Sequence, residues 1–149
     1  MNTQLKPSEP AAIWLTVEEA AKSLRMLGVS EHLDVCEVPL AMVDFWPQIS
    51  SNRIIITDER RFHYLARHPE MLELELALLL TLGDPDLIQS SSNDDRIAYL
   101  HRLIDRRYFL RAALLISTQQ GLHNSLLSAW KIRAHRVEAR HDVVIWSRR

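Results

Sequence analysis

The amino-acid sequence predicts an α+β fold in which N-terminal helices pack on an antiparallel sheet of about four strands. Apolar residues recur at helical spacing in three segments of the N-terminal part, at about 16–27, 58–68 and 69–82. The C-terminal part instead holds an almost continuously apolar segment, residues 108–116, which is typical of a central strand. Residues 124–133 follow it at hairpin distance. Helices that precede strands along a chain favour separate helix and sheet layers.

Length and composition indicate one domain. With 149 residues, 47% of them hydrophobic, the chain can bury its own core, so we expect a tail at residues 1–12 and a single domain at residues 13–149. The one cysteine, Cys36, excludes an internal disulfide and favours a reducing compartment, so we expect a cytoplasmic protein. The most apolar run, residues 71–82, is short and carries two glutamates, so we expect no membrane partner.

The first helix is predicted at residues 16–27, because Thr16-Val17-Glu18-Glu19 has the form of a capping box. The same segment resembles the start of an excisionase-type helix-turn-helix, which would make residues 16–35 a DNA-binding element. Four acidic side chains between residues 31 and 44 argue against a recognition helix there, since it would lie against phosphates. We favour a packing helix and keep DNA binding as an alternative.

Several short elements are predicted beside the three helices. Prolines at 39 and 47 interrupt the apolar residues 35–46, which favours an edge strand or an extended arm. Residues 54–56 are three isoleucines and predict a short strand before the helix at 58–68. Leu87 and Ile88 begin another strand, and residues 143–146 form a last one.

The helix at residues 58–68 carries most of the candidate chemistry. Thr57 or Asp58 can cap its first turn with a side-chain oxygen. Phe62 and Leu65 are three residues apart, so both are predicted to face a core.

Arg60, His63 and Arg67 are spaced to share one other face of this helix, and His68 ends it. Histidine exchanges a proton near neutral pH and arginine can hold a phosphate, although such a charged run is equally compatible with a solvated surface. His63 and His68 are five residues apart, not four as on a zinc-binding helix, and the single cysteine leaves no Cys/His set. We therefore expect no metal and no other cofactor.

Charge is distributed unevenly along the chain, whose net charge is −1. Residues 1–95 hold 7 basic and 16 acidic side chains, whereas residues 96–149 hold 11 basic and 3 acidic ones. A basic C-terminal third is compatible with a polyanion-binding face. It is equally compatible with two halves that neutralise each other in the fold.

Residues of these types can cut RNA without a metal. One group must take the proton of the ribose 2′-OH, another must protonate the departing 5′-oxygen, and cations must stabilise the charge on the phosphate. The candidate side chains for these tasks are those of His63, Arg67, His68, Ser125, Ser128, Lys131 and Arg133. Lys131 and Arg133 are two apart and share a face if they lie in a strand.

A family resemblance runs over about residues 50–135. Its most specific part is the segment Thr57–Glu70, which reads Thr, then Glu-Arg, then His-x-x-x-Arg-His-Pro-Glu. It continues with Gly83–Ile88, then with an apolar strand at 110–116 and a serine-alanine strand at 125–129. In these segments the chain resembles the phage Barnase-EndoU-Colicin-RelE-like nuclease family.

This resemblance implies helices on a four-stranded antiparallel sheet and RNA cleavage without a metal. It also favours a strand at residues 96–104, whose apolar residues fit a helix or a strand. By residue-wise match it implies that His63 is a general acid or base, Arg67 a phosphate clamp and Ser128 a hydrogen-bond donor to a phosphoryl oxygen. His68 falls on the last histidine of the same motif.

The sequence therefore predicts a metal-independent, toxin-like endoribonuclease of phage or mobile-element origin. Its expected partners are RNA, with tRNA as one candidate, and an antitoxin or immunity protein. The residues expected to contact RNA by charge or stacking are Arg60, Arg111, Trp130, Lys131 and Arg133. The alternatives are a non-catalytic nucleic-acid- or protein-binding module on the same fold and the helix-turn-helix DNA-binding protein.

Overall fold

The computed structural model describes residues 16–139 and 142–148. Within these residues the helices are α1 (Val17–Arg25), α2 (Leu40–Phe45), α3 (Asp58–Arg67), α4 (Glu75–Gly83) and α5 (Ala134–Ala139), with a 3-10 helix (Pro69–Leu74) between α3 and α4. The strands are β1 (His32–Glu37), β2 (Arg53–Thr57), β3 (Leu87–Ser90), β4 (Ile97–Leu103), β5 (Tyr108–Leu115), β6 (Asn124–Arg133) and β7 (Val143–Ser147).

The described strands form one sheet in the order β1-β2-β6-β5-β4-β3-β7. The α+β class is confirmed, but the predicted four strands are wrong, because the sheet has seven. The short strands predicted at 54–56, from Leu87 and at 143–146 are present as β2, β3 and β7, and they join the same sheet as the longer strands. The size of the sheet was underestimated because short strands such as these do not indicate which strands they will pair with.

All neighbours in the sheet pair antiparallel except β2 and β6, which run parallel through Ile54 opposite Asn124 and Ile55 opposite Ser125. The Asn124 side-chain amide strengthens this junction by donating to the carbonyls of Ser51 and Arg53, each at 2.8 Å. β2 pairs with only the first two residues of β6. Helix α3 begins directly after β2 and packs against β6.

The two faces of the sheet differ in character. On the helix-covered face, Leu110, Ala112 and Leu114 of β5 are buried in the main hydrophobic core together with Leu78 and Leu82 of α4. On the other face, which we call the polar face, β5 presents Phe109, Arg111 and Ala113. Their antiparallel partners share that face and are Leu103, His101 and Tyr99 on β4, and Ile132, Trp130 and Ser128 on β6.

Many local predictions are confirmed. Helix α1 lies within the predicted 16–27, α3 within 58–68, and residues 97–103 form a strand rather than a helix. The hairpin of β5 and β6 has nearly the predicted bounds. The predicted helix at 69–82 begins instead as a 3-10 helix and becomes α-helical only at Glu75.

Three predictions are wrong. The helix-turn-helix is absent because α1 is followed by strand β1, which buries Leu33 and Val35 where a recognition helix was needed. Residues 35–46 were expected in an edge strand or an extended arm; residues 35–37 do end the edge strand β1, but residues 40–45 form α2. Phe62 is 77% exposed, and Tyr64 is instead the fully buried aromatic residue of α3. No helix among the described residues is long and apolar enough to cross a membrane.

Candidate functional site

Helix α3 begins and ends as the sequence predicts. The Thr57 hydroxyl accepts a hydrogen bond from the backbone N–H of Arg60 at 3.2 Å, and Asp58 and Glu59 place negative charge in the first turn. At the other end the N–H of His68 donates to the carbonyl of Tyr64, and Pro69 prevents a further helical turn. The helix is therefore fixed in register where it leaves β2.

A buried ion pair holds one side of α3 against α4. Glu75 is fully buried, and its carboxylate accepts from the Arg61 guanidinium at 2.8 and 2.9 Å and from the Tyr64 hydroxyl. The hydrogen bond to Glu75 raises the pKa of Arg61, whereas burial is the main cause that raises the pKa of Tyr64. Both α3 side chains therefore keep their protons, and the side of the helix that faces α4 is fixed.

The opposite side of α3 carries the predicted cationic stripe. Successive helical residues are rotated by about 100°, so Arg60, His63 and Arg67 are each turned by about 100–160° from Arg61. His63 and Arg67 are exposed and Arg60 is half-buried. The stripe is thus open to a ligand, with His63 and Arg67 one turn apart.

The end of α3 meets strand β6 through two rings. The half-buried imidazole of His68 stacks on the indole of Trp130, with ring centroids 5.8 Å apart and an interplanar angle of 24°. The Nδ1 atom of His68 lies 3.9 Å from the Glu70 carboxylate. Trp130 shares the polar face with Ser128, two residues earlier, whose side chain is half-buried. The structure therefore brings His68, the last residue of the histidine-arginine segment, against the strand that carries Ser128.

Arg111 does not lie where the sequence prediction placed it. Its side chain is 1% exposed, so it is not a surface contact for RNA. Its guanidinium carbon lies 4.2 Å from the centroid of the Tyr99 ring and 5.8 Å from that of Trp130. Its Nε donates to Nε2 of His101 at 2.9 Å, and its Nη2 is 4.0 Å from the Asp142 carboxylate. Arg111 instead supports the ring of Trp130 from inside the protein.

Lys131 and Arg133 lie together but not beside Ser128. Both are exposed, and their cationic groups lie 4.5 and 5.4 Å from the centroid of the Tyr108 ring. Since β6 alternates, these two residues point to the face opposite Ser128 and Trp130. They form a second cationic group on β6, in addition to the stripe on α3.

Apart from Arg111, the buried polar residues of the polar face were not among the predicted site residues. They are Gln89, His101 and Asp142, and the half-buried Tyr99 lies beside them. The alternation of Tyr99 and His101 along β4 was a usable signal, because these two residues must share one face of a strand. Which other strands flank β4 is a long-range property that no local pattern contains.

Comparison with known protein families, with characterised proteins and with solved structures finds no match to this chain. Among the described residues, no group of three or more histidine, cysteine, aspartate or glutamate side chains is arranged to hold a metal ion. Any function must therefore be argued from the site geometry described above.

Proposed function

We propose that the protein is an endoribonuclease that cleaves RNA by attack of the ribose 2′-OH, using groups of its own chain. The observation that carries this proposal is the stack of His68 on Trp130, because it joins the segment Arg67-His68 to the strand of Ser128. These residues are the ones that the resemblance to the Barnase-EndoU-Colicin-RelE-like nucleases implies.

The reaction needs two proton transfers. A base removes the 2′-OH proton, the 2′-oxygen attacks phosphorus, and the bond from phosphorus to the 5′-oxygen breaks. An acid protonates that 5′-oxygen, which leaves a 2′,3′-cyclic phosphate and a free 5′-OH. His63 lies on the exposed stripe of α3 and His68 at the end of the same helix, and we assign the two proton transfers to these imidazoles.

The remaining groups stabilise the phosphate. Arg67 neighbours His63 on the exposed stripe and can hold two phosphate oxygens at once. The Ser128 hydroxyl is a donor for a phosphoryl oxygen. The Glu70 carboxylate lies 3.9 Å from Nδ1 of His68 and is the acidic group beside that imidazole.

The cations over Tyr108 extend the binding surface. Lys131 and Arg133 are placed to contact RNA phosphates beyond the scissile one, on the far side of β6. Trp130 is already covered by His68 on one side, so we assign it to the wall of the site rather than to a platform for a base.

The test is cleavage of bulk RNA and of tRNA in excess EDTA by the wild-type chain and by His63→Ala. We expect cleavage that resists EDTA, fragments ending in 2′,3′-cyclic phosphate, and a loss of roughly 10²-fold or more in rate for the variant. His135→Ala, which removes another exposed histidine on α5, should keep wild-type activity. Cleavage that EDTA abolishes, or that survives His63→Ala, would contradict this mechanism.

The second candidate is a non-catalytic module that binds nucleic acid on the same surface. The observation that favours it is the position of Lys131 and Arg133, which form a cationic group with Tyr108 on the face opposite Ser128. RNA that binds but is not cut would favour this module. A toxin-like role, a phage or mobile-element origin and an antitoxin partner are parts of the leading proposal only.

A further inference from the structure

Three exposed arginines lie at the end of β6. Arg106 and Arg107 are in the turn between β4 and β5, and Arg136 is on α5. The backbone N–H of Ala134, the first residue of α5, donates to the carbonyl of Arg107 at 2.7 Å. The turn is therefore joined to the start of the helix, and we call these three arginines the arginine cluster.

The guanidinium groups of the arginine cluster have no carboxylate partner among the described residues. Each of the three is absent from the ion pairs found there. The acidic residue of the turn, Asp105, instead accepts the backbone N–H groups of Arg107 and Tyr108, at 2.7 and 3.1 Å. Its carboxylate holds the shape of the turn, and the three guanidinium groups are open to an external anion.

The chemistry of the arginine cluster suits phosphate. The planar guanidinium group can donate two parallel hydrogen bonds to phosphate oxygens and keeps its charge at every physiological pH. The three side chains come from a turn and a helix and are all exposed, so they suit phosphates spaced along the backbone of a nucleic acid.

The arginine cluster offers charge but little surface for stacking. The ring of Tyr108, which follows Arg107 in the chain, is half-buried and lies 4.5 and 5.4 Å from the cationic groups of Lys131 and Arg133. His135 is the one other aromatic side chain within residues 104–108 and 131–137. Single strands are held largely by bases stacked on rings, whereas a double helix hides its bases and presents phosphates and 2′-hydroxyls. The cluster therefore suits a double helix better than a single strand.

The arginine cluster also lies along β6 from the candidate catalytic serine. Tyr108 is the partner of Arg133 in the β5–β6 pair, so the turn before Tyr108 and the helix after Arg133 both lie beyond the end of β6. Arg133 is five residues after Ser128, and at about 3.3 Å per residue the strand covers roughly 17 Å between them. Lys131 and Arg133 occupy the last part of this path, where they can contact a short single-stranded stretch.

We propose that the arginine cluster binds the phosphate backbone of a double-helical stem, so that the substrate is a structured RNA cut in the single strand beside its stem. The substrate class rests on the proposed ribonuclease function. The contact between the cluster and a double helix does not, because it needs no cleavage.

The first experiment measures binding by the His63→Ala chain with fluorescence anisotropy. The ligands are an RNA duplex of about 16 base pairs, an unstructured single strand of about 32 nucleotides, and polyglutamate of similar charge. Because the two RNAs carry nearly the same charge, a difference between them reports the double helix and not charge alone. At about 0.1 M salt we expect the duplex to bind at least roughly fivefold more tightly than the single strand.

Two double variants test the arginine cluster itself. Arg106→Ala with Arg107→Ala should weaken duplex binding roughly tenfold and single-strand binding much less. Lys22→Ala with Arg25→Ala removes the same charge from exposed positions of α1 and should weaken neither. Arg136→Ala alone should weaken duplex binding roughly threefold, because α5 supplies one of the three cations.

The second experiment measures cleavage by the wild-type chain of a stem with a single-stranded extension and of that extension alone. At low RNA concentration the stem should raise the cleavage rate roughly tenfold, since it adds binding free energy. Arg106→Ala with Arg107→Ala should abolish this advantage and leave cleavage of the extension alone unchanged.

Equal affinity for the duplex and the single strand, or equal losses in the two double variants, would overturn the proposal. Polyglutamate bound as tightly as the duplex would also overturn it and would assign the cluster to an acidic protein. A chain that binds the duplex through the cluster but cuts no RNA would sink only the ribonuclease. A chain that cuts RNA but does not prefer the duplex would sink only the stem-binding cluster.

Discussion

At the scale of single residues, the site depends on a carboxylate that touches no ligand. Glu75 lies at the first position of α4 and holds Arg61 and Tyr64 of α3, so the stripe with His63 stays on the outer side of the helix. A charge buried this deeply is stable only while its partners remain. Position 75 thus controls both the stability of the domain and the orientation of the helix that carries the candidate catalytic groups.

We expect Glu75→Gln to lower the free energy of unfolding by about 3 kcal/mol, because Arg61 then loses its carboxylate in a largely buried place. Urea unfolding followed by circular dichroism measures the change. Glu73→Gln, the same substitution at an exposed position of the 3-10 helix, should shift the midpoint very little. Adding Arg61→Met to Glu75→Gln should cost less than the sum of the two single changes, and strict additivity would argue against the ion pair.

At the scale of elements, sequence patterns correctly predicted the features that depend on residues close together in the chain. The cap at Thr57, the stop at Pro69 and the apolar run of β5 all act within a few residues, and each of these elements is found. Phe62 was misjudged because spacing alone does not say which face of α3 meets α4. Arg111 was misjudged because its place within an apolar run was given less weight than its charge.

The pairing of elements could not be predicted in the same way. The parallel pair of β2 and β6 joins residues about 70 positions apart, and it is this pair that puts α3 beside β6. Gln89 and Asp142 come together only because β3 and β7 are neighbours in the sheet. The candidate catalytic residues were therefore accessible to sequence analysis, whereas this buried polar pair was not.

Two glycines, one in a turn and one at the end of a helix, allow a paired test of backbone strain. Gly121, in the turn between β5 and β6, has φ of +90°, and a Cβ there would meet nothing within 4 Å. Gly121→Ala should therefore lower the free energy of unfolding by about 1–2 kcal/mol through backbone strain alone. Gly83→Ala, at the end of α4, should be neutral or stabilising by up to about 1 kcal/mol, since its Cβ would approach only Cys36 Sγ at 3.9 Å. Equal effects of the two substitutions in urea unfolding would contradict this interpretation.

At the scale of the whole molecule, the acidic and basic halves of the sequence partly neutralise each other. Arg148 pairs with Asp84 and Asp86 at 2.7 Å each, and Arg102 lies 3.3 Å from Asp84. The hydrogen bond from Arg148 lowers the pKa of Asp84. These contacts use basic residues of β4 and of the segment after β7, whereas Lys131 and Arg133 of β6 lie over the Tyr108 ring, further across the sheet. Lys131 and Arg133 are not among the basic residues of these ion pairs, so we assign contacts with a polyanion to them.

The salt dependence of RNA binding tests this distribution. A cation that contacts a phosphate of single-stranded RNA contributes about 0.7 to the slope of log K against log salt concentration. In the His63→Ala background, Lys131→Ala should therefore weaken RNA binding and reduce that slope by about 0.7. Lys22→Ala changes the net charge equally but lies on α1, so it should leave the slope unchanged. If both variants reduced the slope alike, only the overall charge would matter, and the assignment of the RNA surface to β6 and its neighbours would have to be abandoned.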